Sequence, residues 1–413
     1  MNGFSYHTLA RKGRARTLSV CGVLAVAATL AAVAAASNNA RASTASTGTL
    51  KVGINVALSG PGAFYGLPQL NAWKIVAAQY NKPGGIKVGE RRYKIQLVSA
   101  DNKWDPATIK QIATQQVIQD KVNIVATVGD PQDPVIVPVT ERNHVVLDDW
   151  TANVFLVKKP NHYVLNGWPA AYVTAKPYYR EMLKLHPGIK TVYGVGADIQ
   201  YDKNNNAWDK ASATSLGLKW LGTATYPVGQ VDFTAILAPI VRAKPDMIAL
   251  GSESSATPAI LKTLTELGYK GVVGSDVPAE DLDADIAGAG SAADGFYQVE
   301  AFSSPNTPAL AAFRAKYVRL AGKWNTLAAT FWVDAQFVLK AMQKAGTVTN
   351  AAKIVAAGRK TTMADPLVPG SPVIRLGGAK TYGQVRELAM PVALNQAVNG
   401  VSKTQAILPI AIP

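Results

Sequence analysis

The residues able to do chemistry are few in this 413-residue chain, and their spacing excludes more than it suggests. His144, His162 and His186 stand at no metal-ligand spacing to one another or to an acid, and no H-E-x-x-H pair occurs. Cys21 is the only cysteine, so the chain beyond it has no disulfide and no thiolate metal site. Gly251-Ser252-Glu253-Ser254-Ser255 lacks the G-x-S-x-G nucleophile elbow. Asp148 and Asp149 offer two carboxyls for glycoside chemistry, but neighbours on a strand point to opposite faces. Ser59-Gly60-Pro61-Gly62 is a glycine-rich turn, yet it fits neither G-x-x-x-x-G-K nor G-x-G-x-x-G, so it shapes a wall rather than cradling a phosphate. No enzyme, metal or cofactor is expected.

That turn ends the stretch Leu50–Gly66, LKVGINVALSGPGAFYG, in which Val52, Ile54 and Val56 alternate with Gly53 and Asn55 as a strand. Leu70, Trp73, Ile75, Val76 and Ala77 follow at roughly helical spacing. A strand handing over to a helix at a tight turn is where open α/β sheets bind ligands, because helix N-termini and strand ends leave donors and a crevice there. The pattern repeats. Strands at Tyr93–Ser99, Val122–Val128 and Val145–Leu147 alternate with helices at about Pro106–Asp120 and Val135–Arg142. After a helix about Ala170–Leu185 it starts over, with strands at Thr191–Val195, Trp220–Tyr226, Asp246–Leu250 and Val272–Ser275. The intervening helices are placed at Asn204–Leu216, Asp232–Arg242 and Thr257–Leu267. Helices at Pro308–Gly322, Ala328–Ala345 and Ala351–Gly358 come next, and the end of the chain mixes Gly, Pro and short strands. Repeated β-α units imply doubly wound parallel sheets with right-handed crossovers, and two such α/β domains are the economical reading.

Residues 1–42 stand apart. Arg11, Lys12, Arg14 and Arg16 precede an alanine-rich apolar run, Leu18–Ala36, and small residues follow. This is a secretory signal peptide, with cleavage near Ala42 or Ala36. A membrane anchor is the alternative, since the run is long enough to span. Cys21 lies inside the apolar run after Val20, which does not fit a lipoprotein signal, so lipid anchoring is not expected. Beyond the leader, 37 Lys and Arg stand against 27 Asp and Glu. Such an excess suits nucleic acid or anionic lipid. The cations, however, read as scattered, the densest runs being Glu90–Lys94 and Lys158-Lys159, which favours a solvated surface and no nucleic-acid partner.

Several patterns occur together and in order: LSGPGAFYG at 58–66, NKPGGIKV at 81–88, SADNKWDPA at 99–107, PVTERNHVV at 138–146 and VGQVDFTAIL at 228–237. They resemble the periplasmic solute-binding proteins of ABC transporters, specifically the branched-chain amino acid and amide binding family. The resemblance implies two doubly wound lobes joined by three hinge crossovers, closing around a ligand like a Venus flytrap. The crossovers would fall near Gly167, near Tyr297–Ala301 and near Met363–Pro369. Lobe one is then 48–167 and 300–366, and lobe two 168–299 and 367–413.

The resemblance also implies a set of ligand contacts. Tyr65 matches a family tyrosine that packs on the ligand, Tyr201 a second-lobe tyrosine, Glu253 a cleft position, and Asp276 the acid that holds an ammonium group. Thr151 and Asn153 fall where a small residue and a threonine help to grip the ligand carboxylate. Asp130 takes the place of a serine in that grip. A carboxylate there repels another carboxylate, so amide, polyol, cationic and aromatic ligands join α-amino acids as candidates. Trp104 and Gln132 stand about where some relatives carry a disulfide. Trp150 either stacks on the ligand or packs under its turn, Tyr65 is either a contact or a surface aromatic, and Asp130, Asp148 and Asp149 have local turn or capping roles as alternatives. The implied function is capture of a small polar solute in the periplasm and delivery to an ABC permease by a monomer. A sensor of the same fold, and an exported hydrolase, are the other readings.

Overall fold

Val52, Ile54, Val56, Ile124 and Ala126 are all fully buried, as expected of parallel strands covered on both faces. They belong to a computed structural model that describes residues 47–129, 132–151, 156, 161–168, 171–251, 255–277, 281–300 and 307–413. The leader, with its candidate cleavage sites, therefore lies outside the described residues, as do Asp130, Asn153 and Glu253. No helix among the described residues is long and apolar enough to cross a membrane.

In chain order the first elements are β1 (Gly48–Val56), α1 (Ala63–Asn81), β2 (Ile86–Val88), β3 (Arg91–Asp101), α2 (Pro106–Thr114), β4 (Ile124–Thr127), α3 (Asp133–Arg142), β5 (Val146–Asp149) and β6 (Val164–Asn166). The next are α4 (Ala171–Leu185), β7 (Thr191–Ala197), α5 (Gln200–Ser215), β8 (Lys219–Tyr226), α6 (Thr234–Ala243), β9 (Met247–Leu250), α7 (Thr257–Glu266), β10 (Val272–Ser275), α8 (Leu282–Ala289) and β11 (Tyr297–Glu300). Then come α9 (Pro308–Ala321), α10 (Leu327–Ala345), α11 (Ala351–Gly358), β12 (Thr362–Ala364), β13 (Val373–Gly377), α12 (Ala379–Tyr382), β14 (Glu387–Ala389), β15 (Val392–Val398) and β16 (Val401–Leu408).

Among the described residues these strands make two sheets, ordered β12-β13-β14-β6-β5-β4-β1-β3-β2 and β16-β15-β11-β10-β9-β7-β8. Each has a parallel centre, with β1 flanked by β3 and β4, and β9 flanked by β7 and β10. Two α/β lobes result. The chain changes sheet between β6 and β7, between β11 and β12, and at Met390–Pro391 between β14 and β15.

The last change of sheet differs from the expected crossover near Met363–Pro369. Strands β12, β13 and β14 extend the first sheet beyond β6, and Ile374, Leu376 and Leu388 are buried in the first lobe's core. Segments of three to five residues between Gly and Pro turns satisfy either sheet equally well in sequence. Only the core they join decides.

Candidate functional site

The wall of lobe one begins where β1 ends. Asp101, the last residue of β3, accepts hydrogen bonds from the Leu58 amide (2.8 Å), the Ser59 hydroxyl (2.5 Å) and the Lys103 amide (3.0 Å). Burial opposes its charge, but these donors outweigh burial and hold its pKa below the usual carboxylate value. The protein's own carboxylate thus already occupies donors of the glycine-rich turn, which leaves the turn poorly suited to a bound phosphate. Lys103 and Trp104 both take left-handed backbone conformations (φ 53° and 56°) as the Trp104 amide donates to Asn102 Oδ1 at 3.0 Å. That bend lays the indole over Gly62, where a Cβ would stand 2.7 Å from the ring. The indole also stacks on Tyr65, with centroids 5.6 Å apart and planes 17° apart, while Phe64 meets Tyr65 edge-on at 4.9 Å. Tyr65 is therefore half of a built aromatic pair.

Behind this wall lies a buried polar net. Asn102 donates to Gln132 Oε1 at 2.7 Å and to Asn55 Oδ1 at 3.0 Å, and the Thr127 hydroxyl donates to Gln132 Oε1 at 2.5 Å. Gln132 is fully buried and also bonds the Val128 carbonyl. The segments holding Trp104 and Gln132 are thus tied by amide hydrogen bonds through Asn102 rather than by a disulfide.

At the end of β5, Trp150 packs against Trp168 (4.2 Å between centroids) and Phe331 (5.2 Å), and only 4 % of it is exposed. Thr151 is also buried. Its hydroxyl donates to Asp133 Oδ2 (3.1 Å), and its amide to Asn166 Oδ1 (3.2 Å). Asn166 in turn donates to the Thr151 carbonyl at 3.0 Å and the Trp168 carbonyl at 3.2 Å, which fastens this corner to the first change of sheet.

Two buried carboxyl pairs flank these walls. Asp148 on β5 lies beside Asp334 on α10, with Asp149 next to both, and neither Asp148 oxygen meets an amide or hydroxyl donor. Two adjacent carboxyls without such donors need a shared proton. Burial raises both pKa values, that of Asp334 to about 8. In lobe two, Asp276 follows β10 and lies beside Asp209 of α5, with Tyr178 and Tyr179 of α4 close to both. Burial again dominates, raising Asp209 to about 7 and Asp276 well above its ordinary value, the latter helped by the charge of Asp209.

The expected site residues divide accordingly. Trp150 is part of the first lobe's apolar core cluster, Tyr65 and Tyr201 pack on that same cluster, and Val277 of lobe two is buried in it. Asp276, one residue from Val277, directs its carboxyl toward Asp209 and is 1 % exposed. Trp104, Trp168 and Phe331 were missing from the expected set. Trp104 was legible only as an aromatic within SADNKWDPA, because its contact with Tyr65 depends on two left-handed residues. Among the described residues no group of three or more His, Cys, Asp and Glu is placed to hold a metal.

Comparison with known proteins fits this arrangement. The chain is similar in structure to a solute-binding protein of an ABC transporter from R. palustris in complex with benzoate. The identity is 19 %, the TM-score 0.71, and the match covers 89 % of this chain and 98 % of that one. A solute-binding protein from Rhodopseudomonas palustris BisB5, in complex with 3,4-dihydroxybenzoic acid, matches at 20 % identity and a TM-score of 0.72, over 88 % and 99 % of the two chains. A leucine-binding protein from Thermotoga maritima matches at 19 % identity and 0.71, over 87 % and 99 %. No curated protein sequence matches the chain. The sequence profile described as Periplasmic binding protein matches residues 49–395, most of the chain, and with this profile the chain belongs to the periplasmic binding protein family.

Proposed function

We propose that this protein captures a small solute carrying an aromatic ring between its two lobes, in the periplasm, and delivers it to an ABC permease. The observation that carries the ligand class is the Tyr65–Trp104 stack beyond the end of β1, whose Tyr65 packs on the same apolar cluster as Trp150 and as Tyr201 of the opposite lobe. Aromatic faces hold a ring by offset stacking and by removing its apolar area from water. Tyr65, Trp150, Thr151 and Tyr201 are the proposed contacts, joined by Asp130, Asn153 and Glu253 from the sequence. Asp276 supports an α-ammonium poorly, since its carboxyl is engaged with Asp209. That two structural relatives hold benzoate and dihydroxybenzoate supports the same class; the leucine-binding relative marks the competing one.

A thermal-shift series at pH 7 tests this. Benzoate and hydroxybenzoates, with the corresponding neutral amides, are compared with leucine, valine and polyols. A ligand at a hundred times its Kd stabilises the native state by about 2.7 kcal/mol through mass action. A rise in melting temperature with the aromatic compounds and none with leucine supports the reading. The reverse order overturns the aromatic class, and turnover of a bound compound on prolonged incubation overturns binding as the whole function.

A further inference from the structure

Helix α5 turns a polar face into the body of lobe two. A helix packed on a sheet ordinarily buries apolar side chains there, so each polar group on that face needs a partner. Asp202 has one, accepting from the Ala197 amide at 2.6 Å, and Asn206 donates to the Asp202 carbonyl at 3.1 Å. One turn on, the pattern fails. Asn205 and Asp209 are each 1 % exposed, yet among the described residues neither end of the Asn205 amide meets a hydrogen-bond partner, and neither does Asp209 Oδ1.

Two distant segments close over these residues. Asp276 follows β10, where its carbonyl accepts from the Thr174 hydroxyl of α4 at 3.1 Å, and its carboxyl lies against Asp209. One turn along α4, Tyr178 lays its hydroxyl on Gly274, where a Cβ would stand 2.2 Å from it. Tyr179 meets Tyr178 edge-on at 5.2 Å and brings its own hydroxyl to Asp209. Both tyrosines are fully buried, in one apolar cluster with Met182, Val192 and Met247. The Tyr178 hydroxyl and both Asp276 oxygens meet no hydrogen-bond donor or acceptor among the described residues. No Lys or Arg among those residues acts on either carboxyl. His186 meets Tyr297, which lies beside Tyr178, and burial disfavours the charged imidazole.

We propose that Asn205, Asp209, Asp276, Tyr178 and Tyr179 form a site for a calcium-sized divalent cation. The donor set selects the ion. It offers two carboxyls, one amide carbonyl and two phenol oxygens, and such hard oxygen ligands suit Ca2+ and Mg2+. Two carboxylates balance one divalent charge, which a buried pair without a basic neighbour needs. Mg2+ keeps several waters, and side chains this deeply buried leave little room for them. Ca2+ takes about six to eight oxygens in flexible geometry. The ion replaces the proton that the two carboxyls otherwise share. Asp276 adjoins Val277, which is buried in the first lobe's core cluster, so parting of the lobes uncovers the end of β10 and gives the ion a path. The spacing of His, Cys and acids in sequence gives no sign of this site, because its oxygens come from three separate segments and only two of its side chains are acids.

Thermal unfolding of the chelator-treated full chain at pH 8, with CaCl2, MgCl2 or NaCl added, tests this. Ca2+ at a hundred times its Kd should raise the melting temperature by about 4 °C, with little effect of Mg2+ or Na+. Tb3+, a probe of calcium's size, should emit on tyrosine excitation and lose that emission as Ca2+ displaces it. Asp209→Asn/Asp276→Asn keeps the side-chain volumes and should abolish both responses. Asn205→Ala leaves the carboxyls in place and should weaken Ca2+ by about tenfold. The first-lobe double variant Asp148→Asn/Asp334→Asn should respond as the wild type does. Absence of both responses in the wild type overturns the proposal. So does a full response in Asp209→Asn/Asp276→Asn or unchanged affinity in Asn205→Ala, since the ion would then sit elsewhere. An equal rise with Mg2+ or Na+ overturns the choice of a calcium-sized divalent ion.

Discussion

The two lobes solve one electrostatic problem differently. Each buries a pair of carboxyls, Asp148 with Asp334 in the first and Asp209 with Asp276 in the second. In lobe two the pair is shut inside the body of the lobe, with Tyr178 and Tyr179 above it, and burial keeps both phenols protonated as potential donors. In lobe one the pair has Asp149 as its charged neighbour and touches the connection between lobes: a Cβ on Gly167 would stand 2.0 Å from Asp334 Oδ2. The Gly167 amide also donates to the Asp149 carbonyl at 2.7 Å. The same chemistry therefore stiffens a body in one lobe and bears on a joint in the other.

The largest effect that would break this comparison is steric. Gly167→Ala should destabilise by about 3 kcal/mol, since a buried carboxyl fills the space of the new methyl. Adding Asp334→Ala should recover part of the loss in a double-mutant cycle read by denaturant unfolding. Strict additivity would show that Asp334 does not press on the crossover.

The pH dependence comes next. A folded-state pKa raised above the unfolded value of about 3.8 means that the folded protein keeps a proton the unfolded chain has lost. This contribution is greatest below the unfolded pKa and is lost as pH rises, until Asp209 releases its proton at about 7 and Asp334 at about 8. The melting temperature should accordingly fall from pH 5 to pH 8. Asp209→Asn should flatten the part that ends near pH 7, and Asp334→Asn the part that extends to about 8. The comparison sharpens if only Asp334→Asn also changes the pH dependence of ligand affinity in calorimetry. A profile unaltered by either substitution would remove the shared-proton account.

Smaller effects separate the walls. Trp104→Ala should weaken aromatic ligands by about tenfold through the lost support of Tyr65, with little change for any aliphatic ligand that binds. Tyr178→Phe should cost about 1 kcal/mol in stability and leave ligand affinity unchanged, since the phenol belongs to the body of lobe two. A change in affinity would place that pair in contact with the cleft.

Much of the fold is legible because buried parallel strands read as apolar runs: Val122–Val128 contains β4, and Ala351–Gly358 is the helix α11. Where the core-facing side is polar, periodicity falls silent. Helix α5 begins at Gln200 rather than Asn204 and turns Asp202, Asn205, Asn206 and Asp209 inward, so no apolar stripe announces its first turn. The helix read as Pro106–Asp120 is α-helical only to Thr114 and continues as one π turn, Gln115–Gln119.

By itself the sequence determined the alternation of strands and helices, the two-lobed class and the aromatic and acidic residue types at the strand ends, because these follow from local periodicity and ordered motifs. Tertiary structure alone decided which sheet receives β12–β14, that Trp104 backs Tyr65, and that Asp276 turns to Asp209. Each of these is a pairing between segments distant in the chain. Composition and period describe one segment at a time, and only packing determines which segments meet.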